Sequence, residues 1–403
     1  MALYNKPTGT WFAIFLNSGC GQTGIGAWRS TTPWDPASWT AGPCIHNSSA
    51  DDRESAWSDN NPASPFYGRM YVSWNDFARG QGLFVRYSTD NGATWSDERQ
   101  LAPGTPLIRN VEITGDLATG DVYVAGMNEG GGGLANRSNV VYRSTDGGNT
   151  WTNTYTGPAF PGPGRALNGY FACMYPSPSP GYWTYMGWGQ IAAYNHVVHL
   201  DYGQCGGDNP CSNAADHGNV FYIRSTDSGV TFSAPLQLNT DTGRAAQWEP
   251  NLSVSPSGTV FATWYDERDG ATCTAGVNTP CYRMYSRKSN DNGVTWQADA
   301  PLSDVVSPLP AQVDPSVRSS YAGDYDYGTA IATKHLTCWD DGRVAINGFQ
   351  QQDIFTDTEL VGPTATPTAT ATTTPTPTPT PRATPTPRST PAPRPRPTPP
   401  PRP

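Results

Sequence analysis

Ser88-Thr89-Asp90-Asn91-Gly92-Ala93-Thr94-Trp95 is the stretch whose reading decides the fold. It returns as Ser144-Thr145-Asp146-Gly147-Gly148-Asn149-Thr150-Trp151, as Ser225-Thr226-Asp227-Ser228-Gly229-Val230-Thr231-Phe232, and as Ser289-Asn290-Asp291-Asn292-Gly293-Val294-Thr295-Trp296. The shared pattern is Ser-x-Asp-x-Gly-x-Thr-Trp/Phe. An Asp two residues before a Gly is turn chemistry: the carboxylate bonds nearby backbone N–H groups, and the Gly accepts a positive φ. A strand-like run precedes each copy, Leu83-Phe84-Val85-Arg86-Tyr87 before the first. Each copy therefore reads as the tip of a β-hairpin whose aromatic folds back into a sheet.

The octapeptide resembles the Asp-box of the sialidase (BNR-repeat) superfamily, and four copies in one chain make the resemblance specific. In the box, Asp and Thr satisfy the hairpin's own backbone and the aromatic packs between sheets. The resemblance implies an architecture and does not identify a catalyst.

A second repeat lies upstream of the boxes. Pro7-Thr8-Gly9-Thr10-Trp11-Phe12-Ala13-Ile14-Phe15 matches Pro256-Ser257-Gly258-Thr259-Val260-Phe261-Ala262-Thr263-Trp264. Each is a tight turn followed by an apolar strand. Equivalents are Tyr67-Gly68-Arg69-Met70-Tyr71-Val72-Ser73-Trp74, Ala118-Thr119-Gly120-Asp121-Val122-Tyr123-Val124, Ser179-Pro180-Gly181-Tyr182-Trp183-Thr184 and a degenerate Lys334-His335-Leu336-Thr337-Cys338-Trp339. The unit is an inner strand, a turn, a second strand, a loop, a third strand, a box and an outer strand. The expected fold is all-β: a six-bladed β-propeller of four-stranded antiparallel blades. Blade one covers residues 1–50, with a decayed box at Ser30-Thr31-Thr32-Pro33-Trp34. Blades two to five end near residues 108, 167, 248 and 324, and blade six near Leu360. From Val361 the chain turns to Thr-Pro repeats, which cannot build a core and read as a disordered or extended polyproline-like stalk. The chain starts inside the first inner strand, with no basic start or apolar core of a signal peptide. One reading is a truncated N-terminus that has lost a signal peptide and a closing strand. The other is a short but genuine start.

Composition narrows the function classes. The 403 residues carry 25 basic and 34 acidic side chains. Five Arg and no acid lie after Glu359, so the body carries about −14. That argues against nucleic acid as a partner. No run approaches transmembrane length, and a monomer is expected. The eight Cys suggest disulfides in an oxidising, extracellular or cell-surface compartment. Cys205 with Cys211 and Cys273 with Cys281 are close pairs, and Cys20 with Cys44 and Cys173 with Cys338 would use the rest. No Cys-x-x-Cys favours zinc.

Blade topology puts the boxes on one face and the long second-to-third loops and blade-to-blade connections on the other. Charge collects on the second face. Sialidases resemble this chain in the kind and order of their residues: three Arg that grip a sugar carboxylate, an Asp acid/base and a Tyr nucleophile sharpened by a Glu. Arg forks bind carboxylates bidentately, and a neutral phenol attacks beside a carboxylate without the repulsion another carboxylate would meet. Carried over by order, the resemblance implies Arg53, Arg268 and Arg318 for substrate, Asp76 as acid/base, Glu249 as partner of the Tyr, and Tyr325 or Tyr321 as nucleophile. The chain departs from the family where Arg53 stands in Asp-Arg-Glu-Ser instead of Phe/Tyr-Arg-Ile-Pro, and Trp-x-Asp recurs at Trp74, Trp264 and Trp339. Two functions are therefore expected in competition. One is a secreted glycoside hydrolase that releases terminal acidic sugars, an exo-α-sialidase among them. The other is a non-catalytic propeller that binds glycan or protein. No cofactor is required; Ca2+ among the acidic loops stays open.

Overall fold

The computed structural model describes residues 1–80, 82–104, 108–130, 135–163, 187–206, 218–270, 281–308, 326–346 and 349–362. The chain divides into Met1–Thr364 and Ala365–Pro403. The Thr-Pro segment lies outside the described residues.

Six antiparallel sheets follow one another along the chain. Blade two shows the pattern: Asp51–Ser58 pairs Met70–Asp76, which pairs Gly82–Ser88, which pairs Arg99–Gln100. Blade one repeats it with Ala2–Asn5, Thr10–Asn17, Gly24–Ser30 and Thr40–Ala41. Blades three and five add a short strand against their third strands. Blade six contributes Tyr327–Ala330, Lys334–Ile346 and Phe349–Leu360. The architecture is the six-bladed propeller that the repeats predict.

All four intact boxes close the hairpin from third to outer strand by the same bonds. In the first, Ser88 Oγ donates to Asp90 Oδ1 at 2.8 Å, Gly92 N donates to Ser88 Oγ at 2.9 Å, and Thr94 N and Oγ1 donate to the two Asp90 oxygens at 2.9 and 2.5 Å. The other three repeat these bonds. The residue before the box Gly sits at φ 58°, 72°, 61° and 58° in turn (Asn91, Gly147, Ser228, Asn292), a region that Gly and Asn enter most cheaply. The box aromatics then pack on the hydrophobic clusters between blades: Trp95, Trp151, Phe232 and Trp296 each join one.

Those clusters hold the blades together. Each joins two neighbours, as in Phe12 and Ile14 of blade one against Met70, Val72 and Trp74 of blade two. Box residues add polar ties to the preceding blade. Asn5 Nδ2 donates to Asn91 Oδ1 at 3.0 Å, and His199 Nε2 meets Asn292 Oδ1 at 3.1 Å.

Two expectations need correction. Blade four does not take its turn from Pro180-Gly181, which lies outside the described residues. Its inner strand is Ile191–Tyr194 and its second Val197–Gln204, joined by Asn195 and His196 at φ 51° and 67°. The Asp116 carboxylate of blade three accepts both turn N–H groups, at 2.8 and 2.7 Å. A carboxylate from the preceding blade thus does what Gly does elsewhere, which no local pattern reveals. Second, Cys338 is a free thiol and not a partner of Cys173; its Sγ lies 3.3 Å from Tyr327 O. Its strand holds it against its own inner strand. Cys20 and Cys44 are bonded as expected, with Cα atoms 5.7 Å apart. Cys205 and Cys281 are also disulfide-bonded; Cys173, Cys211 and Cys273 lie outside the described residues.

The boxes make the fold acid-sensitive. Burial pushes the Asp227 carboxyl up, but the bonds from Thr231 and Ser225 outweigh it and hold the group down to about 2. Asp90, Asp146 and Asp291 are lowered too. A depressed carboxyl contributes stability in full above its unfolded value of about 3.9 and loses it as pH falls through the folded one. Melting temperature should therefore drop between pH 4 and 2. An Asp227→Asn variant should show a shallower drop over that window, and an unchanged slope would exclude the box as the cause.

Candidate active site

The inner strands of blades two, three and five each carry one extra residue. Pairing shifts between Asp52 and Ser55, between Arg109 and Glu112, and between Trp248 and Asn251. Each bulge holds one residue at positive φ: Arg53 at 48°, Asn110 at 61° and Glu249 at 45°. Asn tolerates this; Arg and Glu there cost about 1 kcal/mol each. Bulges and strained backbone gather at sites where a side chain must be re-aimed. Arg53 and Glu249, named through the sialidase resemblance, occupy the same position in their blades, at the loop-side start of the inner strand.

Around the first two bulges, paired Arg and carboxylate side chains gather about one aromatic ring. The Arg53 guanidinium lies 3.7 Å from the centroid of the Trp188 ring and 3.9 Å from Glu112 Oε1. Arg109 lies 4.8 Å from the same ring and donates to Asp52 at 3.2 Å. Trp188 is fixed by its Nε1 bond to Glu129 at 2.7 Å, and Glu129 pairs with Arg137 at 3.2 Å. Glu112 accepts from Ser55 Oγ at 2.9 Å. Burial raises its carboxyl above the usual range, against the pull of Arg53. Glu112 and Trp188 were not picked out from sequence. The signal for Glu112 was present: a charged residue in the interior of an inner strand.

The third bulge borders an acidic group around Tyr265. The buried Tyr265 hydroxyl donates to Asp326 Oδ1 at 2.6 Å and accepts from Asp340 N at 2.8 Å. Burial raises Tyr265, and the charges of Asp326, Asp340 and Glu249 raise it further, in that order. Burial likewise lifts Asp326 well above the ordinary carboxyl range. Asp340 is half-buried, and burial with the neighbouring Asp341 charge pushes it up to about 7. Trp248 stacks on Tyr265 at 5.4 Å, and the Tyr282 hydroxyl donates to Asp340 O at 2.9 Å. A carboxyl of this kind can hold or release a proton near neutrality.

The other expected residues sit elsewhere. Asp76 accepts Ala78 N at 2.9 Å and Arg79 Nε at 2.5 Å, and Arg79 lies 4.0 Å from the Phe84 ring. Asp266 accepts Arg268 N at 2.8 Å and Arg268 Nη2 at 2.7 Å, and Arg268 lies 4.1 Å from the Tyr285 ring. Asp341, Arg343 and Phe355 repeat the arrangement. The recurring Trp-x-Asp is thus one staple used three times, closing the turn after the second strand in blades two and five and standing at a register shift within Lys334–Ile346 in blade six. Arg268 also faces Asp299 at 2.9 Å and Asp241 at 3.4 Å. Arg318, Tyr321 and Tyr325 lie outside the described residues, just ahead of Asp326.

His46, Asp51 and Asp76 offer ligand atoms within 4.8 Å of one another. Arg79 already places a guanidinium among them, 3.2 Å from His46 Nε2.

The family model for the BNR/Asp-box repeat matches residues 86–97. No curated protein sequence matches the chain. Among solved structures, the GH93 α-L-arabinofuranosidase of Fusarium graminearum is 15% identical, covering 70% of this chain and 73% of that one, with a TM-score of 0.46. A Hadza microbial sialidase is 13% identical over 89% of this chain and 64% of its own, at 0.48. A protein of unknown function from Dyadobacter fermentans is 12% identical over 89% and 92%, at 0.50. At these identities the likeness is one of fold. Among the described residues no helix is long and apolar enough to cross a membrane.

Removing the Arg268 guanidinium leaves Asp266 and Asp299 facing each other's neighbourhood without their cation. Breaking such a buried network costs on the order of 3 kcal/mol. Arg268→Ala should therefore lower the urea midpoint markedly, and an unshifted unfolding curve would show that the staple contributes nothing to stability.

Proposed function

We propose that this Asp-box propeller is a glycoside hydrolase acting on acidic glycans at the loop-side mouth of its blades, with Asp340 as the proton-transferring carboxyl. One observation carries the reading: a half-buried carboxyl raised to about 7, beside a buried phenol that is itself bonded to a second raised carboxyl. The box Asp carboxyls, by contrast, are held low by the hydrogen bonds they accept. Asp340 would deliver its proton to the leaving glycosidic oxygen, while Tyr265 and Asp326 fix the backbone that carries it. The guanidinium groups of Arg53 and Arg109, both beside the Trp188 ring, support a carboxylate-bearing sugar, and sialic acid is the specific candidate. Tyr325 remains the candidate nucleophile, with Tyr321 as its alternative, Glu249 its partner and Arg318 a further carboxylate ligand. The disulfide between Cys20 and Cys44 supports an extracellular site of action.

A second reading, a non-catalytic glycan-binding propeller, is favoured by the commitment of Asp76 and Arg268 to staples.

A panel of chromogenic acidic and neutral glycosides, assayed with the full chain, separates the two. On the glycoside turned over, kcat should fall as pH rises through 7, because the acid form of Asp340 is lost. Asp340→Asn should lower kcat by about 10²–10⁴-fold while leaving the melting temperature at pH 5 unchanged. No turnover of any glycoside would sink the hydrolase reading, and binding to a glycan array would then select the second.

A further inference from the structure

The Trp-x-Asp staple has three copies, and the copy in blade two departs from its sisters. In blade five the inner-strand residue opposite Asp266 is Gln247, and its amide donates to Asp266 Oδ1 at 3.2 Å. In blade two the residue opposite Asp76 is Asp51. A second carboxylate thus faces the staple carboxylate where the sister blade has a neutral donor. The Trp departs as well. Trp264 and Trp339 donate Nε1 to their staple Asp at 3.0 and 3.2 Å. Trp74 is fully buried, its Nε1 has no hydrogen-bond partner, and its ring stacks on His46 at 5.1 Å.

The charges around Asp51 do not balance. Arg79 does what Arg268 and Arg343 do: it holds the staple Asp and lies on an aromatic ring. It is also drawn outward to Glu98, with Nη2 3.1 Å from Oε2. One guanidinium therefore serves both Asp76 and Glu98, and Arg86 acts on Glu98 only as a more distant charge. Asp51 is left with His46, whose Nδ1 lies 2.7 Å from Oδ2; among the described residues no Lys or Arg pairs with Asp51. The Asp51 side chain is wholly buried, and its other oxygen, Oδ1, has no hydrogen-bond partner. A buried carboxylate oxygen without a partner is costly, and a cation relieves that cost. Burial is the largest influence on the Asp51 carboxyl and raises it; His46 opposes, the Asp76 charge adds to the rise, and the Ser48 hydroxyl opposes least.

We propose that His46, Asp51 and Asp76 are the protein ligands of a divalent metal ion of the Zn2+, Mn2+ or Co2+ kind, which ties the connection from blade one to the inner strand of blade two. Their ligand atoms lie within 4.8 Å of one another. Such ions hold ligands at about 2.1 Å, so opposite ligands stand about 4.2 Å apart and the group closes by no more than about 0.6 Å on binding. One imidazole and two carboxylates suit these ions, whereas Ca2+ takes oxygen ligands. The ion takes Nδ1 in place of its proton. A metal-bound His donates its other ring N–H to a carboxylate, and Glu98 Oε2 already stands 3.6 Å from His46 Nε2. Arg79 then keeps Asp76 and yields its contact with Nε2. The ligand segment is held in place without the ion: Cys44, two residues before His46, is bonded to Cys20, and Ile25 N donates to His46 O at 3.0 Å. Asp51 opens the strand that presents Arg53 two residues on, so the ion fastens the root of that strand. The proposal is independent of the hydrolase reading.

The test is titration calorimetry of the full chain, stripped with EDTA, against Zn2+, Mn2+ and Co2+ separately. One site per chain is expected, and Co2+ should develop visible absorption bands. Zn2+ at a hundredfold excess over its Kd should raise the melting temperature by about 3 °C. Asp51→Gln installs the residue that blade five carries at this place. It should fold, bind none of the three ions and show no thermal shift. His46→Gln, at a partly buried position, should lose the site likewise, and it decides the matter by the same criteria if Asp51→Gln does not fold. No binding of any of the three ions overturns the proposal. Binding that survives both substitutions undiminished places the ion elsewhere and overturns it too, as does a site that takes Ca2+ alone.

Discussion

A blade is a sheet with two apolar faces and no way to bury either alone. Every other feature of the chain follows from that constraint. Repetition supplies each blade with neighbours on both sides. The hairpin box can be nearly all polar because its one aromatic reaches into the cluster between blades. The bonds inside the box fix the turn so that this aromatic enters at the same height each time. Small residues such as Gly92 and Gly229 matter here for their left-handed backbone, at φ 74° and 80°. The packing energy lies between sheets, and the turn chemistry sets where the sheets meet.

The functional groups lie where this constraint is relaxed. At the loop-side start of an inner strand, one extra residue breaks the alternation that burial enforces elsewhere. Arg53, Asn110 and Glu249 occupy that place. Past it, charged side chains stand between aromatic rings and not in water. Burial then decides their protonation, and partners modify it. Glu112 stays raised although Arg53 is near. Asp340 is raised to about 7, by burial first and then by the neighbouring Asp341 charge.

The blades were legible because they are written in local chemistry: Asp and Gly at fixed spacing, then an aromatic, then alternating strands. The inner turn of blade four was misplaced because the true one has no Gly or Pro and is held by Asp116 from the blade before it. Arg53 and Glu249 came from the order of sialidase site residues carried onto this chain, and both stand at the bulge of an inner strand. The role of Arg268 was not legible, because Asp299 and Asp241 approach it from distant segments. Asp340 could be read as a loop-face acid, but its altered proton affinity depends on Tyr265, Tyr282 and Asp341 around it. No spacing encodes that burial.

The staple of Asp, Arg and aromatic ring has a further consequence. In blades two and five it fastens the chain immediately after the second strand, by Asp76 and Asp266, before the loop to the third strand begins. The sheet is thereby insulated from that loop. The connection occupies residues 77–81 in blade two and 267–280 in blade five, with the same strand pairing below. Loops on this face are free to lengthen, shorten or exchange sequence at little cost to the blade beneath. Divergence in what the mouth of the propeller recognises can therefore proceed one loop at a time, on a frame that does not register the change.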